Sequence, residues 1–241
     1  MIRNVFFEIK KAVLSVRMLW SIIIGIMLLY QPEFYLRKMQ ASLWSFDLSN
    51  AMQASLGLGA FVMLSTALCA IPFADRYCWE KRTRFCLYAQ YRQGRINYAF
   101  SKICATAISG GISVMLPFAL FCLLHILIVP SSFTNLDPIH IALQESFYFF
   151  IYGSAWAVLA LGFSSFTNSP LVVLAVPLCI ERGVQLVAVA FKADWLRLSD
   201  AIAVQCGSVY SHQQIITVNS LLLAIGIALF ARGMVKEHAQ L

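Results

Sequence analysis

The side chains that could carry out chemistry are few in this sequence, and their spacing matches no enzyme motif. Among the four histidines, no two form a His-x-x-His or His-Glu-x-x-His arrangement, so the ligands of an intramembrane metalloprotease are missing. There is no Gly-x-Ser-x-Gly element and no adjacent pair of glutamates that would indicate another membrane hydrolase. A Gly-x-x-x-x-Gly-Lys-Ser/Thr loop for nucleotide phosphates is also missing. The sequence therefore predicts no catalytic residue, no metal site and no cofactor site in this chain.

The cysteines are scattered and lie mostly in apolar runs. None forms a Cys-x-x-Cys pair, which gives little support to a metal or redox role. Free cysteine is among the most buried residue types, so we interpret all seven as small packing residues. They are Cys69, Cys78, Cys86, Cys104, Cys122, Cys179 and Cys206. His125, within another apolar run, is interpreted as a hydrogen-bonded packing residue.

Two adjacent charges, Glu181 and Arg182, lie in or beside an apolar run. Charges within a membrane mark functional sites, so this pair is a candidate for a transport pathway or an outer gate. The alternative is that the apolar run ends near Ile180 and that both long side chains reach the outer interface.

The composition indicates what kind of scaffold positions these residues. Of 241 residues, 60% are hydrophobic and 12% are charged, whereas soluble domains are about 45–50% apolar and about 25% charged. A soluble single-domain enzyme, a disordered chain and a disulfide scaffold are therefore excluded. A span needs roughly 20 helical residues, which leaves space for about six spans with short loops. We predict an all-α, polytopic membrane helical bundle of one domain, residues 1–241.

The pattern along the chain predicts an interfacial helix, six spans and one long basic loop. Residues 1–17 are amphipathic, as in a helix that lies along the headgroups. Pro32 is expected to end the first span, small residues place the second at the bundle centre, and Pro117 predicts a kink in the third. The predicted spans are 18–30, 50–73, 103–129, 146–166, 170–190 and 215–231, with the loop at 74–102 and an outer re-entrant segment at 191–214.

The distribution of basic residues predicts the orientation. One set of segments carries thirteen of the 18 Lys and Arg residues, and the opposite set carries five. Because basic loops stay inside, the first set, with both termini and residues 74–102, should be cytoplasmic in the inner membrane. This bias accounts for the net charge of +7 without nucleic acid as a partner.

Residues 74–102 are the most informative segment. Topogenic charge alone explains the sign of this loop but not its length, nor the aromatic residues interleaved with its seven basic ones. Those aromatic residues are Trp79, Phe85, Tyr88, Tyr91 and Tyr98. The pattern predicts an amphipathic helix across the inner face that contacts either lipid headgroups or a soluble partner.

The same loop carries a resemblance to a known family. Glu80, Arg82–Thr83, Arg95 and Ser101–Lys102 match the outline of the corresponding loop in the permeases of type-2 ATP-binding-cassette (ABC) transporters. The proline that usually precedes the arginine is missing, and Gly94 lies in its neighbourhood instead. Together with the predicted spans, the chain resembles that family along its whole length.

The resemblance implies an exporter built as a dimer of six-span subunits, with itself or with a related chain, in contact with membrane lipid. Each subunit would rest on a separate ABC ATPase, which binds the ATP. Residues 77–95 would form the coupling helix in a groove of that ATPase. Its contact residues would be Trp79, Glu80, Arg82, Arg84, Arg92 and Arg95. Self-protection against a toxic peptide is a common role in such families. Two alternatives stay open: a non-transporting membrane anchor for a partner complex, and a membrane enzyme without a recognisable motif.

Overall fold

The structure, a computed structural model, describes residues 2–39, 48–57, 60–128, 137–193 and 211–238. These residues form helices and the short turns between them, without a strand. The helices are α1 (Ile2–Val13), α2 (Val16–Met39), α3 (Leu48–Gly57), α4 (Ala60–Ala70), α5 (Arg76–Arg82), α6 (Phe85–Gln93), α7 (Arg95–Ile128), α8 (Asp137–Ser164), α9 (Pro170–Ala190) and α10 (His212–His238).

Four of these helices, α7 to α10, are long and apolar enough to cross a membrane. Helix α1 and the first part of α2 meet the same criterion only together, and a bend of 50° separates them. The prediction of an all-α membrane bundle is confirmed. The described residues thus contain four such helices, or five with the bent pair, and six spans stay a prediction.

Helix α8 is the central helix of the bundle. It packs against α7 and α10 along most of its length and also contacts α4 and α9. Trp156, Tyr152 and Phe149 on α8 are fully buried, and 72% of its most apolar stretch is inside the protein, against 22% for α9. Among the described residues, therefore, α9 is the least covered of the four long apolar helices.

Glycines allow the central helices to approach closely. A Cβ atom on Gly110 of α7 would lie 2.2 Å from the Cβ atom of Ala157 on α8. A Cβ atom on Gly226 of α10 would lie 2.7 Å from the backbone nitrogen of Leu159 on α8. Packing of this kind drives helix association in lipid, where burial of apolar surface does not. Helix α7 continues through Gly110 and Pro117 without a break.

Helix α2 continues through Pro32 to Met39, although its described apolar stretch that could cross a membrane ends at Pro32, where the sequence places the end of the first span. Proline removes a backbone donor and strains the carbonyls one turn before it. In membrane helices, a neighbouring hydroxyl can satisfy such a carbonyl. The carbonyl that Pro32 leaves without its helical donor is that of Leu28, and the Ser55 hydroxyl of α3 donates to the next carbonyl, that of Leu29, at 2.9 Å. The partner helix therefore supports the helix around the proline.

The predicted second span, 50–73, is described as two helices. Helix α3 ends at Gly57 and α4 begins at Ala60, with residues 58–59 outside the described part. Glycine weakens a helix interior, and this stretch of the sequence has two, at positions 57 and 59. Ala51 and Ser55 are fully buried, which agrees with the expectation that small residues pack inward here.

The other boundaries differ mainly at the polar ends of the helices. The interfacial helix ends at Val13, before residue 17. Helices α7 and α8 begin before the predicted spans but end at Ile128 and Ser164, and α10 extends beyond its predicted span at both ends. Hydropathy detects only the apolar middle of such helices, whereas backbone hydrogen bonding continues into the polar flanks. Helix α9 matches the predicted 170–190 at both ends. The outer re-entrant segment lies largely outside the described residues, which omit 194–210.

Candidate functional site

The segments predicted to be cytoplasmic meet at one end of the bundle, which we call the basic end; it carries residues 76–102. Lys81 donates to the carbonyl of Ser165, in the turn between α8 and α9, at 2.9 Å. The ring of Tyr77 on α5 lies 5.0 Å from that of Phe230, near the end of α10. At the opposite end, the His212 ring of α10 contacts Tyr148 of α8. The grouping of segments by charge therefore agrees with their grouping in space.

The predicted single helix over 77–95 is wrong, because this region forms two helices, α5 and α6, before α7 begins. Arg84, at the start of α6, has a left-handed backbone with φ of 55°, which no residue of a continuous α-helix adopts. Gly94 separates α6 from α7 with φ of 81°, a conformation that glycine adopts without a Cβ clash. The Thr83 hydroxyl closes α5 by donating to the carbonyl of Trp79 at 3.0 Å.

A buried ion network holds α5 against the rest of the basic end. The ammonium of Lys102 on α7 lies 2.6 Å from Oε1 of Glu80 on α5 and 3.0 Å from Oε2 of Glu8 on α1. The hydroxyl of Tyr98 donates to the other carboxylate oxygen of Glu80. Arg76 approaches Glu80 at 3.4 Å from one turn earlier in α5. The network therefore joins three helices, α1, α5 and α7.

Burial makes this network costly to break. The side chain of Lys102 is 1% exposed and that of Glu80 is 9% exposed. A buried charge is tolerated only when it is paired and hydrogen-bonded, and removal of one partner leaves the other charge uncompensated. The sequence placed Glu80 in the contact with an ATPase, where it would hold either the partner or an arginine of its own loop, and Arg76 of that loop does approach it. In the structure its carboxylate is used within the chain, so Glu80 positions α5 rather than facing a partner.

Two further contacts fix the segment that leads into α5. Arg17 of α2 donates from one nitrogen to both carboxylate oxygens of Asp75, at 2.6 and 2.8 Å, and Asp75 is buried. The thiol of Cys78 donates to the carbonyl of Thr167 at 3.3 Å. Burial, and then the nearby Asp75 carboxylate, raise the pKa of Cys78 to about 11. Cys78 is thus an inert, packed thiol.

The outer faces of α5 and α6 carry exposed aromatic and arginine side chains. We call this the aromatic–arginine surface; it consists of Trp79, Arg82, Arg84, Phe85, Tyr88, Tyr91 and Arg92. Tyr91 is the extreme case, at 93% exposed. The guanidinium of Arg82 lies 5.5 Å from the centre of the Trp79 ring, a cation–π contact that orders both side chains. Arg95, by contrast, is half-buried at the start of α7.

The pair Glu181–Arg182 lies in the middle of α9, not at its end. The helix continues to Ala190, so the interpretation that the apolar run ends near Ile180 and releases both side chains is wrong. Glu181 is fully buried, and Thr66 of α4 donates to it at a long 3.4 Å. Arg182 lies 3.4 Å from the other carboxylate oxygen and also donates to Gln185.

Nothing in the sequence indicated that Glu8 and Asp75 take part in ion pairs at the basic end, and Tyr98 was identified only as one of the loop's aromatic residues, not as a buried partner of Glu80. One signal for Tyr98 was present, because it lies one helical turn before Lys102 and so shares its face. The pairing of Glu8 with Lys102 spans 94 positions and has no local signature. Within the described residues, no group of three His, Cys, Asp or Glu side chains could hold a metal ion.

Comparisons with protein-family models, with curated proteins and with solved structures give no match to this chain.

Proposed function

We propose that this chain is the permease subunit of an ABC exporter, which moves its substrate across the cytoplasmic membrane with ATP hydrolysed on a separate subunit. The observation that carries the proposal is the aromatic–arginine surface on α5 and α6. It lies at the basic end, where the predicted cytoplasmic segments meet, and its residues include four of the six assigned to the coupling contact from the sequence: Trp79, Arg82, Arg84 and Arg92.

The chemistry of this surface suits a protein partner. Tryptophan, tyrosine and arginine are the residue types that dominate binding energy at protein interfaces. Arginine presents a planar fork of donors that matches a carboxylate, and an ATPase groove lined by acidic residues would use it. Tyr91 and Arg92 extend the exposed surface of α6 beyond the packed bundle.

The ion network of Glu80, Lys102 and Glu8 connects the aromatic–arginine surface to the helices of the bundle. A displacement of α5 by the ATPase would act on Glu80, and Glu80 is held by Lys102 near the start of α7. Helix α7 runs from the basic end through the bundle and packs on α8. Movement of the surface would therefore be passed to the core helices, without a flexible link between them.

The remaining parts of the proposal concern assembly and pathway. The subunit works as a dimer of six-span chains, with itself or a related chain, and the exposed face of α9 is the free surface for such a contact. Both termini lie in the cytoplasm. The buried polar cluster of Glu181 and Thr66 between α4 and α9 marks the pathway or the outer gate.

Exchange of arginine for lysine tests the docking contact while keeping the charge. In a triple variant, Arg82→Lys, Arg84→Lys and Arg92→Lys, we expect co-purification of the ATPase from native membranes to fall at least tenfold, because lysine lacks the planar fork. Membrane abundance should stay at the wild-type level, since all three side chains are exposed. The control is Lys236→Arg, near the end of α10. Recovery of the ATPase at wild-type amounts with the triple variant contradicts the docking assignment.

A further inference from the structure

A cavity of about 530 Å³ lies at the basic end, between the α1–α2 bend and α5. Three basic side chains line it, Lys11 from α1, Arg17 from α2 and Arg76 from α5, together with one carboxylate, that of Glu80, which Lys102 and Arg76 neutralise. Trp79 and Ser15 form part of its rim. The volume falls within the range of roughly 300–1,000 Å³ that is usual for small-ligand sites.

The charges around this cavity do not balance. Four cations, Lys11, Arg17, Arg76 and Lys102, face three carboxylates, Glu8, Asp75 and Glu80. Arg17 is taken up by Asp75, and Lys102 by the two glutamates. Lys11 is the surplus cation, since it forms no ion pair with a described residue. Partial burial, and then the Arg76 guanidinium, lower the pKa of Lys11, and the Glu8 and Glu80 carboxylates nearby offset this only in part.

The backbone adds to the positive potential. The first turn of α2, with Ser15, Val16 and Arg17, lines the same cavity. Ser15 caps this turn by accepting from the Met18 amide at 3.1 Å, and the positive end of the helix dipole favours an anion beside it. Side-chain charge and helix geometry therefore point independently to a negatively charged ligand.

The surroundings indicate that this ligand carries acyl chains. Leu14 and Val16, at the bend, are 72% and 71% exposed, and Leu19 and Trp20 continue the apolar surface along α2. Such a boundary between basic and apolar surface, flanked by tryptophan, is typical of the headgroup level of a membrane. A soluble acidic protein would leave this apolar surface uncovered. A lipid covers it with its tails while its phosphate enters the cavity.

We propose that this cavity is a binding site for the phosphate of an anionic phospholipid, whose acyl chains lie along the exposed face of α2. Lys11 and the first turn of α2 bind the phosphate, and Arg76 and Arg17 supply the surrounding positive field. The site fixes the depth of the α1–α2 bend in the membrane. This inference does not rest on the proposed transport function.

Native mass spectrometry of the full chain in detergent tests the site. With dioleoylphosphatidylglycerol added, we expect one tightly held lipid per chain, and with dioleoylphosphatidylcholine at the same concentration we expect clearly less. Lys11→Gln should weaken the retention of phosphatidylglycerol on the order of fivefold, since one basic residue near an anionic headgroup contributes about 1 kcal/mol. Lys11 is exposed and without an ion pair, so this variant should fold normally.

Lys10→Gln is the matched control, because Lys10 is exposed on the same helix but does not line the cavity. Equal loss in both variants would mean general surface attraction and would overturn the proposal. Equal retention of the two lipids would also overturn it. If inorganic phosphate alone stabilises the protein with the same dependence on Lys11, the ligand is a free anion and the lipid assignment fails. A Lys11→Gln variant that loses the ATPase but keeps phosphatidylglycerol would assign the cavity to the partner protein instead.

Discussion

Replacement of Lys102 by methionine removes the cation on which the basic-end network depends. The ammonium lies 2.6 Å from Glu80 and 3.0 Å from Glu8, and its side chain is 1% exposed. Methionine fills much of the same volume but leaves two carboxylates at van der Waals distance from an uncharged side chain. Removal of one partner from a buried ion pair costs about 3–5 kcal/mol. For a chain of 150–250 residues, 1 kcal/mol lowers Tm by about 2–4 °C, so we expect Tm to fall by roughly 6–20 °C.

The assay is thermal unfolding of the purified protein in detergent, followed by intrinsic tryptophan fluorescence. Glu80→Gln in the Lys102→Met background should restore part of the loss, because the uncompensated charge on α5 disappears with it. The coupling energy between the two positions should be about 1–3 kcal/mol, as for residues of one network. Lys236→Met, at an exposed cation near the end of α10, controls for loss of positive charge in general. If the two substitutions are additive, or if Lys102→Met unfolds at the wild-type temperature, the network does not hold α5.

Substitutions or labelling at a close helix contact, at a buried thiol and at a buried ion pair test three other features of the fold. Gly110→Ala should lower Tm and the yield of folded protein, because the added Cβ atom would overlap the side chain of Ala157. Gly183→Ala is the control: nothing lies within 4 Å of its added Cβ atom, so its Tm should be unchanged or slightly higher in the same assay. Cys78, with its pKa raised to about 11, should resist alkylation by maleimide at pH 8 in the folded protein and should react only after unfolding; rapid reaction would contradict its burial. Between about pH 9 and 11 the Cys78 thiol ionises in the unfolded chain but stays protonated in the folded protein, which favours unfolding. The free energy of unfolding of the wild type should therefore fall over this pH range relative to that of Cys78→Ala. Arg182→Gln leaves the buried Glu181 carboxylate without its cation, whereas the double variant Glu181→Gln, Arg182→Gln removes both charges. The single variant should therefore have the lower Tm. A lower Tm for the double variant would show that the pair is not coupled.

Much of the fold follows from local signals in the sequence. The predicted span 170–190 matches α9 at both ends because the apolar run coincides with the helix, and Pro170 is suited to the first turn where that helix begins. The amphipathic α1 was predicted from the alternation of Phe6 and other apolar residues with Lys10 and its basic neighbours. These elements depend on neighbouring residues alone.

The errors arise where distant residues decide. Proline disfavours a helix interior, but α2 continues through Pro32, where Ser55 of α3 holds the neighbouring turn through the Leu29 carbonyl. Glu181 is buried beside Thr66 of α4, and this contact is not visible in the sequence of α9 alone. Tertiary contacts of this kind override local propensity and are not visible in one sequence.

Local sequence signals likewise predicted the exposed residues of the basic end but not its buried contacts. The exposed members of the coupling contact, such as Trp79 and Arg82, were identified from the interleaving of aromatic and basic residues. The burial of Glu80 could not be predicted, because its partner Lys102 lies 22 positions away in the sequence. The two side chains meet only when the end of the α7 helix that carries Lys102 packs beside α5. A break at Arg84 was also not predicted, because arginine rarely adopts a left-handed backbone.

Site-specific photocrosslinking in native membranes tests the central proposal most directly. The photoreactive residue p-benzoylphenylalanine is introduced at Tyr91, which is 93% exposed on the aromatic–arginine surface, and separately at Leu143, which is 69% exposed near the start of α8, away from the basic end. Irradiation should join position 91, and not position 143, to a soluble ATP-hydrolysing subunit identified by mass spectrometry. A crosslink from position 91 to lipid alone, or to no protein while the chain is present at normal abundance, would contradict the assignment of this surface to an ATPase.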